Sequence, residues 1–369
     1  MGNVRLSIVG DLSFSDVPGE PLELVRQMDP GVRAALACDM AVANLEGPLY
    51  DPSPEELRRA GGQAQYSPAR TVEALKELGI HAVSLANNHA LDFDLPGLES
   101  TIRALEAAGI AHFGTGRSAA EAAEPAVLER SGLRVGFLGL AGTGYPAANR
   151  LGTFDLEGTQ TPGLIRRARQ RCDRLVLYCH EGVEAFHYPL RTTVKYSHRA
   201  VECGADLVVV THPHAVQGIE TYRHAPIAYS LGNFIMSLGR EGLFEAWRDQ
   251  TALARMGWTF QRDTIEKALI LKCTLSAEAV AYEPLPILVE RSGLPRLLAP
   301  AERKEFDAFL AALCEAFDRP DDAVWRRRDE VERRFWKLVR GSMSLKDILG
   351  NFHRVRWANV VRLARKLLR

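Results

Sequence analysis

The chain has 369 residues, 46% of them hydrophobic and 25% charged, with Lys+Arg and Asp+Glu equal in number. This composition excludes a disordered, collagen-like or disulfide-stapled chain and fits a globular protein with a sizeable core. The charge is uneven: residues 319–369 carry 15 Lys/Arg against 6 Asp/Glu, which makes the tail basic and the remainder acidic.

Met1-Gly2-Asn3-Val4-Arg5-Leu6 leads straight into a strand with no signal peptide, and Leu6 stands where a myristoylation signal wants Ser or Thr. No apolar run approaches the ~20 residues of a membrane span. The expectation is a soluble, cytoplasmic protein. Six scattered cysteines (Cys38, Cys172, Cys179, Cys203, Cys273, Cys314) form no CxxC pair and read as reduced core residues.

In chain order, the strand Leu6–Val9 ends at Gly10-Asp11, and the strand Ala41–Ala43 ends at Asn44-Leu45-Glu46. A helix over about Pro21–Ala37 joins them into a βαβ unit. Residues 51–65 are polar and turn-rich, a surface excursion. A helix from Pro68 to about Leu78 stops at Gly79. The strand Ala82–Leu85 then runs into Ala86-Asn87-Asn88-His89, with Asp92 three residues beyond His89. The alternation continues with a helix over 96–108, a strand over Ile110–Phe113, and the strand Val135–Leu140 after a turn at Arg130–Arg134. Gly136, Gly139, Gly142 and Gly144 miss the G-x-G-x-x-G spacing of a dinucleotide loop. A helix over 162–171 leads to the strand Leu175–Cys179, which ends at His180-Glu181-Gly182-Val183-Glu184. Another helix, over 192–203, leads to the apolar run Ala205–Val210 and to Thr211-His212-Pro213-His214.

Beyond His214 the pattern changes to short strands, Gln217–Tyr222, Ile227–Ser230, Lys267–Leu275 and Ala279–Leu285, read as antiparallel, so the sheets are mixed. Leu231-Gly232-Asn233-Phe234 reads as a tight turn, and 240–262 as an insertion carrying Trp247 and Trp258. From Pro300 onward the pattern is helical, which places a boundary near 295.

Asp11, Glu46, Asn88, His180, His212 and His214 each follow an apolar strand. Taken singly they have plainer explanations: helix caps, a turn residue, a satisfied core histidine, a surface His-Pro-His turn. Six together at the same edge are the donors a metal centre gathers: acids, an amide oxygen and imidazoles. Pro213 bends the path between His212 and His214, so that two rings that would alternate faces can converge.

Gly10-Asp11, Asn44-Leu45-Glu46-Gly47, Ala86-Asn87-Asn88-His89 with Asp92, His180-x-Gly-x-Glu184, Gly204-Ala205-Asp206 leading to His212-Pro213-His214, and Ser230-Leu231-Gly232-Asn233-Phe234 follow one another in this order. In these pieces the chain resembles the CapA family of bacterial capsule and poly-γ-glutamate synthesis proteins, of the calcineurin-like metallophosphatase superfamily, over residues 5–290. The resemblance implies a four-layer α/β/β/α sandwich with mixed sheets over residues 1–295; the basic helical C-terminal extension over 296–369 is read from the residue pattern and lies outside it. It also implies one or two divalent ions (Mn, Zn or Fe) held by Asp11, Glu46, Asn88, His180, His212 and His214, with Glu46 the bridging acid. His89 would polarise substrate or protonate a leaving group, with Asp92 fixing its tautomer, and Glu184 and Asn233 would contact substrate. The chain departs from the pattern at Ser13, where metallophosphatases carry a histidine, and at Phe93-Asp94 after the Asn-His-x-x-Asp motif.

The function expected from this resemblance is hydrolysis of a phosphoester or of a γ-glutamyl or peptide bond, in capsule or peptide biosynthesis. Two alternatives stand beside it: a metal-dependent peptide epimerase using the same site, and a non-catalytic assembly protein for capsule or polyglutamate. The expected partner is an anionic polymer or peptide, not nucleic acid. In the tail, Trp357, Val360, Val361, Ala364, Leu367 and Leu368 oppose Arg362, Arg365 and Arg369 at helical spacing. Such a helix either docks on the main body or, with the arginines at 326–328, meets an anionic partner or a membrane surface.

Overall fold

The computed structural model describes residues 2–60, 64–142, 154–156, 158–237 and 263–318, together with Trp325, Arg326 and Asp329. Two mixed sheets stack face to face. In the first, β1 (Val4–Leu12), β2 (Met40–Leu45), β3 (Ala82–Ser84) and β4 (Ala111–Phe113) run parallel. On the other side of β1 lie the antiparallel strands β13 (Lys267–Leu275), β14 (Val280–Val289) and β15 (Pro295–Leu297), and β12 (Asn233–Ile235) pairs in parallel with the end of β1.

The second sheet has the order β10 (Ile219–Tyr222), β11 (Ala225–Ala228), β9 (Leu207–Thr211), β8 (Arg174–His180), β6 (Leu133–Ala141), β5 (Ala126–Arg130), with β7 (Phe154–Asp155) beside β6. Its central strands β6, β8, β9 and β11 are parallel, and β5 and β10 are antiparallel edges.

Alternation along the strands decides the layers, because successive side chains point to opposite faces. Leu6, Ile8, Met40 and Val42 of the first sheet meet Val135, Phe137, Val176, Tyr178 and Val209 of the second in an inter-sheet core. Tyr178 is fully buried there, and its hydroxyl donates to the Val42 carbonyl at 3.2 Å. The outer face of the first sheet is covered by α1 (Pro21–Gln27), α2 (Pro30–Leu36), α4 (Thr71–Glu77) and α5 (Asp94–Ala108), with α3 (Pro54–Ala60) in the preceding excursion. Helices α7 (Thr161–Arg169) and α8 (Arg191–Glu202) cover the second sheet, and α6 (Ala119–Ala123) precedes β5. The result is the four-layer α/β/β/α sandwich expected from the resemblance. Helix α9 (Pro300–Asp318) adds Phe306, Leu310 and Leu313 to the inter-sheet core. Among the described residues no helix is long and apolar enough to cross a membrane.

Several details differ from the sequence reading. The helix expected over Pro21–Ala37 is two helices, because Pro30 cannot continue α1 and the residue before a proline is pushed out of helical geometry. Asp29 instead caps α2, accepting from the Gly31 N–H at 2.7 Å. The polar excursion contains α3. Gly136 and Gly139 lie inside β6, which pairs with β5 in a hairpin not anticipated. β11 is parallel to β9 as well as antiparallel to β10, and Asn233 opens a strand where a tight turn was expected. The insertion with Trp247 and Trp258, Gly144, and the helix carrying Trp357 and Arg362 lie outside the described residues.

At the end of the sandwich where β8 begins, Arg174 joins the sheets. Its guanidinium donates to Asp206 Oδ1 at 2.7 Å and to the carbonyls of Ser276 and Ala277, at 2.8 and 2.6 Å, in the β13–β14 turn, and Asp206 Oδ2 accepts from the Leu175 N–H at 2.8 Å. Both side chains are nearly excluded from water, so removing one leaves the other charge buried and uncompensated. Asp206→Ala is expected to cost about 3–5 kcal/mol, read as a lower urea midpoint; a loss below about 1 kcal/mol would show that the pair is solvent-screened.

Candidate metal centre

The parallel strands of both sheets deliver their carboxyl ends to one crevice, the place where open α/β sheets put their sites. Asp11 on β1 is in register with Asn44 on β2 and with Asn233 on β12, and His180 on β8 is in register with Thr211 on β9. The β1–β2 pairing slips between Ile8 and Asp11, an irregularity of the kind that re-aims a side chain next to a site. Gly10 makes the close approach of β12 feasible, since a Cβ there would fall 1.9 Å from the Gly232 carbonyl oxygen.

Convergence of the two loop histidines comes from backbone torsion more than from Pro213 itself. His212 has φ +96° and His214 φ +54°, conformations that L-residues adopt at a cost and that cluster at functional sites. The His212 N–H donates to Asp11 Oδ2 at 3.1 Å, and Asp11 Oδ1 accepts from Asn44 Nδ2 at 2.7 Å. The His180 and His212 rings stand 4.8 Å apart between centroids.

Glu46 lies at the centre. It is 0% exposed, and neither carboxylate oxygen has a hydrogen-bond partner among the described residues. Its Oε1 is 3.7 Å from His214 Nε2, 3.8 Å from His180 Nε2 and 4.0 Å from His89 Nε2. Three triplets have ligand atoms within 4.8 Å of one another: Glu46, His180 and His212; Asp11, Glu46 and His214; and Glu184, His212 and His214. Asn88 Oδ1 adjoins the first of these, 2.7 Å from His180 Nε2. A buried carboxylate with no hydrogen bond, ringed by imidazoles and a second acid, is a donor set that fits a divalent transition cation.

The charges respond accordingly. Burial raises the Asp11 carboxyl and pushes Glu46 up to about 7, against the pull of His214 on both. Burial holds His180 well below the usual imidazole range and His212 down at about 3, so both are neutral, as metal-binding imidazoles must be. Burial opposes charge on His214 too, but Glu46 and Asp11 outweigh it and lift His214 to about 9.

On the solvent side, His89 Nδ1 lies 2.6 Å from Asp92 Oδ2, which also accepts from the Gln65 N–H at 2.7 Å. Burial lowers the His89 pKa, but the Asp92 hydrogen bond and the charges of Asp92 and Glu46 prevail and raise it. Asn87 accepts from the His89 N–H at 3.1 Å and donates to the Leu45 carbonyl at 2.8 Å, which ties the His89 loop to the end of β2.

All six residues read as ligands therefore meet at this crevice, with His89 and Asp92 beside them. Asn233, expected to contact substrate, is fully buried with both ends of its amide taken: its Oδ1 accepts from His214 Nδ1 at 2.8 Å and its Nδ2 donates to the Ile265 carbonyl at 3.1 Å. It orients His214 instead, as partners of metal-site imidazoles do. Glu184, also expected at the substrate, stands with His212 and His214. The sequence reading missed Asn44, Thr211, which bonds His180 Nδ1 at 3.0 Å, and Gln65. Asn44 and Thr211 stood inside quoted motifs, Asn44-Leu45-Glu46-Gly47 and Thr211-His212-Pro213-His214, without a role of their own; Gln65 carried no sequence signal.

Among known proteins, the capsule biosynthesis protein CapA of Bacillus anthracis is 28% identical over 212 residues, covering 54% of this chain and 51% of that protein. The PGA biosynthesis protein CapA of Bacillus subtilis is 26% identical over 249 residues, 63% of each. A probable polyglutamine synthesis accessory protein of Mycobacterium tuberculosis is 28% identical over 249 residues, 61% of this chain and 60% of that one. The matches thus span about half to 63% of the length of these relatives. Of solved structures, a novel phosphatase of Mycoplasma pneumoniae overlaps in part, with a TM-score of 0.49 at 12% identity over 78% of this chain and 94% of that one. The family model for the bacterial capsule synthesis protein PGA_cap matches residues 5–238; with more than half its length inside that match, the chain belongs to the PGA_cap family.

Proposed function

We propose that the protein is a metal-dependent hydrolase of the metallophosphatase type, acting on a phosphoester or on a γ-glutamyl or peptide bond of an anionic polymer or peptide in capsule or polyglutamate synthesis. The observation that carries this reading is the Glu46 carboxylate, buried without a hydrogen bond and within 4.0 Å of three imidazoles. Glu46, Asn88, His180 and His212 would hold one cation; Asp11, Glu46 and His214 would hold a second. A bound divalent cation supplies Lewis acidity and lowers the pKa of water from 15.7 toward about 7.

The residues around it have separable tasks. His89 is 17% exposed, whereas His180 and His214 are 1% and 2% exposed, so His89 is the imidazole a substrate meets at the mouth of the crevice. Asp92 holds the proton on Nδ1, and Nε2 carries the second proton that a leaving group takes up, a role the raised His89 pKa suits. Asn44 and Asn233 hold Asp11 and His214 in place.

Ser13 favours a second reading. Two residues past Asp11, its hydroxyl accepts from the Ser15 N–H at 3.2 Å and offers no imidazole to the Asp11 side. With one cation in use, His89 or another base would remove the α-proton of a bound peptide, and return of a proton to the opposite face of the carbanion would complete an epimerisation. Incubation with p-nitrophenyl phosphate, a γ-glutamyl anilide and candidate peptides in D2O separates the two: product release marks hydrolysis, and deuterium at Cα without cleavage marks epimerisation.

His89→Ala is expected to keep the metal and the fold but to lose about 10²–10⁴-fold in kcat, with Asp92→Asn milder; full turnover in His89→Ala removes this histidine from the mechanism. Replacing His212 and His214 together by alanine should abolish the metal content that elemental analysis finds in the wild type, and equal content in both proteins would refute the assignment of these ligands.

A pH dependence follows from the two raised groups. Without metal, Glu46 and His214 each bind a proton more tightly folded than unfolded, so stability falls as pH rises from 4.5 through about 7 for Glu46 and from 6.5 through about 9 for His214. A cation displaces these protons, so it binds better as pH rises. The increase in Tm caused by excess manganese chloride should therefore grow between about pH 5 and about pH 8; an increase that is flat or shrinks with pH would count against Glu46 and His214 as ligands.

A further inference from the structure

We propose that Glu184 is a ligand in its own right, completing a second divalent-cation position on the His214 side of the crevice. The inference rests on the metal-dependent reading above and adds a residue to it. A carboxylate oxygen of Glu184 and one ring nitrogen from each of His212 and His214 lie within 4.8 Å of one another. Because His212 is already counted with Glu46 and His180, what this triplet adds to Asp11, Glu46 and His214 at the second position is the Glu184 carboxylate.

Donor supply points to Glu184 there. Transition cations take four donors in tetrahedral sites and six in octahedral ones. The two triplets built on Glu46 share that residue, and both Asp11 oxygens already accept hydrogen bonds, from Asn44 Nδ2 and from the His212 N–H. The His180 side draws on an imidazole and an amide oxygen beyond Glu46 and His212, since Asn88 Oδ1 lies 2.7 Å from His180 Nε2. On the His214 side, among the described residues, the further acid grouped with the imidazoles is Glu184.

The backbone is built to hold this carboxylate in place. The Glu181 N–H donates to the Thr211 carbonyl at 3.1 Å and the Ala185 N–H to the Pro213 carbonyl at 2.7 Å, so the loop after β8 is stapled to the His-Pro-His loop on both sides of Glu184. Gly182, at φ +130°, lets that loop lie on Pro213, where an added Cβ would come within 3.1 Å of Pro213 Cγ. Ala185, directly after Glu184, sits at φ +58° without being glycine, a strained conformation that the surrounding contacts must enforce.

The test is equilibrium dialysis of the full chain against manganese chloride, with metal counted by elemental analysis and the fold followed by thermal melting without metal. Wild type is expected to bind two equivalents. Glu184→Gln should bind one, with the second weakened by about 10–100-fold or more, the range lost when even an outer partner of a metal ligand is removed, and its metal-free melting should match wild type. Two equivalents of unchanged affinity in Glu184→Gln, or a single equivalent in both proteins, overturns the role of Glu184 and leaves the metal-dependent reading standing. Wild type that binds no manganese, zinc or iron overturns that reading itself and this inference with it.

Discussion

The Glu46 carboxylate is the constraint on which the rest of the site depends. An ionised group taken out of water without compensation costs several kcal/mol, and Glu46 is fully buried with no hydrogen bond to either oxygen. The fold answers with imidazoles instead of donors from its own backbone. The Glu46 and Asp11 carboxylates lift His214 to about 9, so its positive charge faces Glu46 across 3.7 Å. The crevice thus gathers, around a carboxylate that burial pushes up to about 7, a donor set that fits a divalent cation.

Rigidity behind the site keeps these groups from collapsing onto one another. Asp11 is fixed by the Asn44 amide and by the His212 N–H, His180 by Thr211 and Asn88, His214 by Asn233, and His89 by Asp92. The partners come from the ends of β2, β3, β9 and β12, so the site is held by the register of two sheets and not by any one loop. The positive φ at His212 and His214 shows the same dependence: such torsions persist only where the surroundings over-determine them. At the far end, the Arg174–Asp206 pair and the β13–β14 turn hold the two sheets in the relation that brings their ends together.

Much of this was legible in the residues themselves. β-Branched and apolar runs ending in Asp11, Glu46, His180 and Thr211-His212 marked parallel strands and their carboxyl edge, because a strand buried on both faces leaves little choice of residue type. The motif order then identified the family and the sandwich, and the residues chosen as ligands do meet in one crevice. Helix boundaries were less legible: Pro30 divides a helix read as continuous, and the β5–β6 hairpin was hidden because β5 is a half-exposed edge strand with weak apolar alternation.

What the sequence by itself determined was therefore which side chains could supply chemistry and at which strand ends they stand, since those follow from residue type and local periodicity. Tertiary structure alone decided how they are shared out. Asn233 looked like a substrate contact until parallel pairing with β1 put it against His214, and Glu184 looked the same until backbone bonds to Thr211 and Pro213 set it beside two imidazoles. Such partners lie 19 residues apart in the case of Asn233 and His214, and 201 in the case of Asp11 and the His212 N–H. No local pattern encodes such contacts; they exist only once two sheets have packed and their registers are fixed.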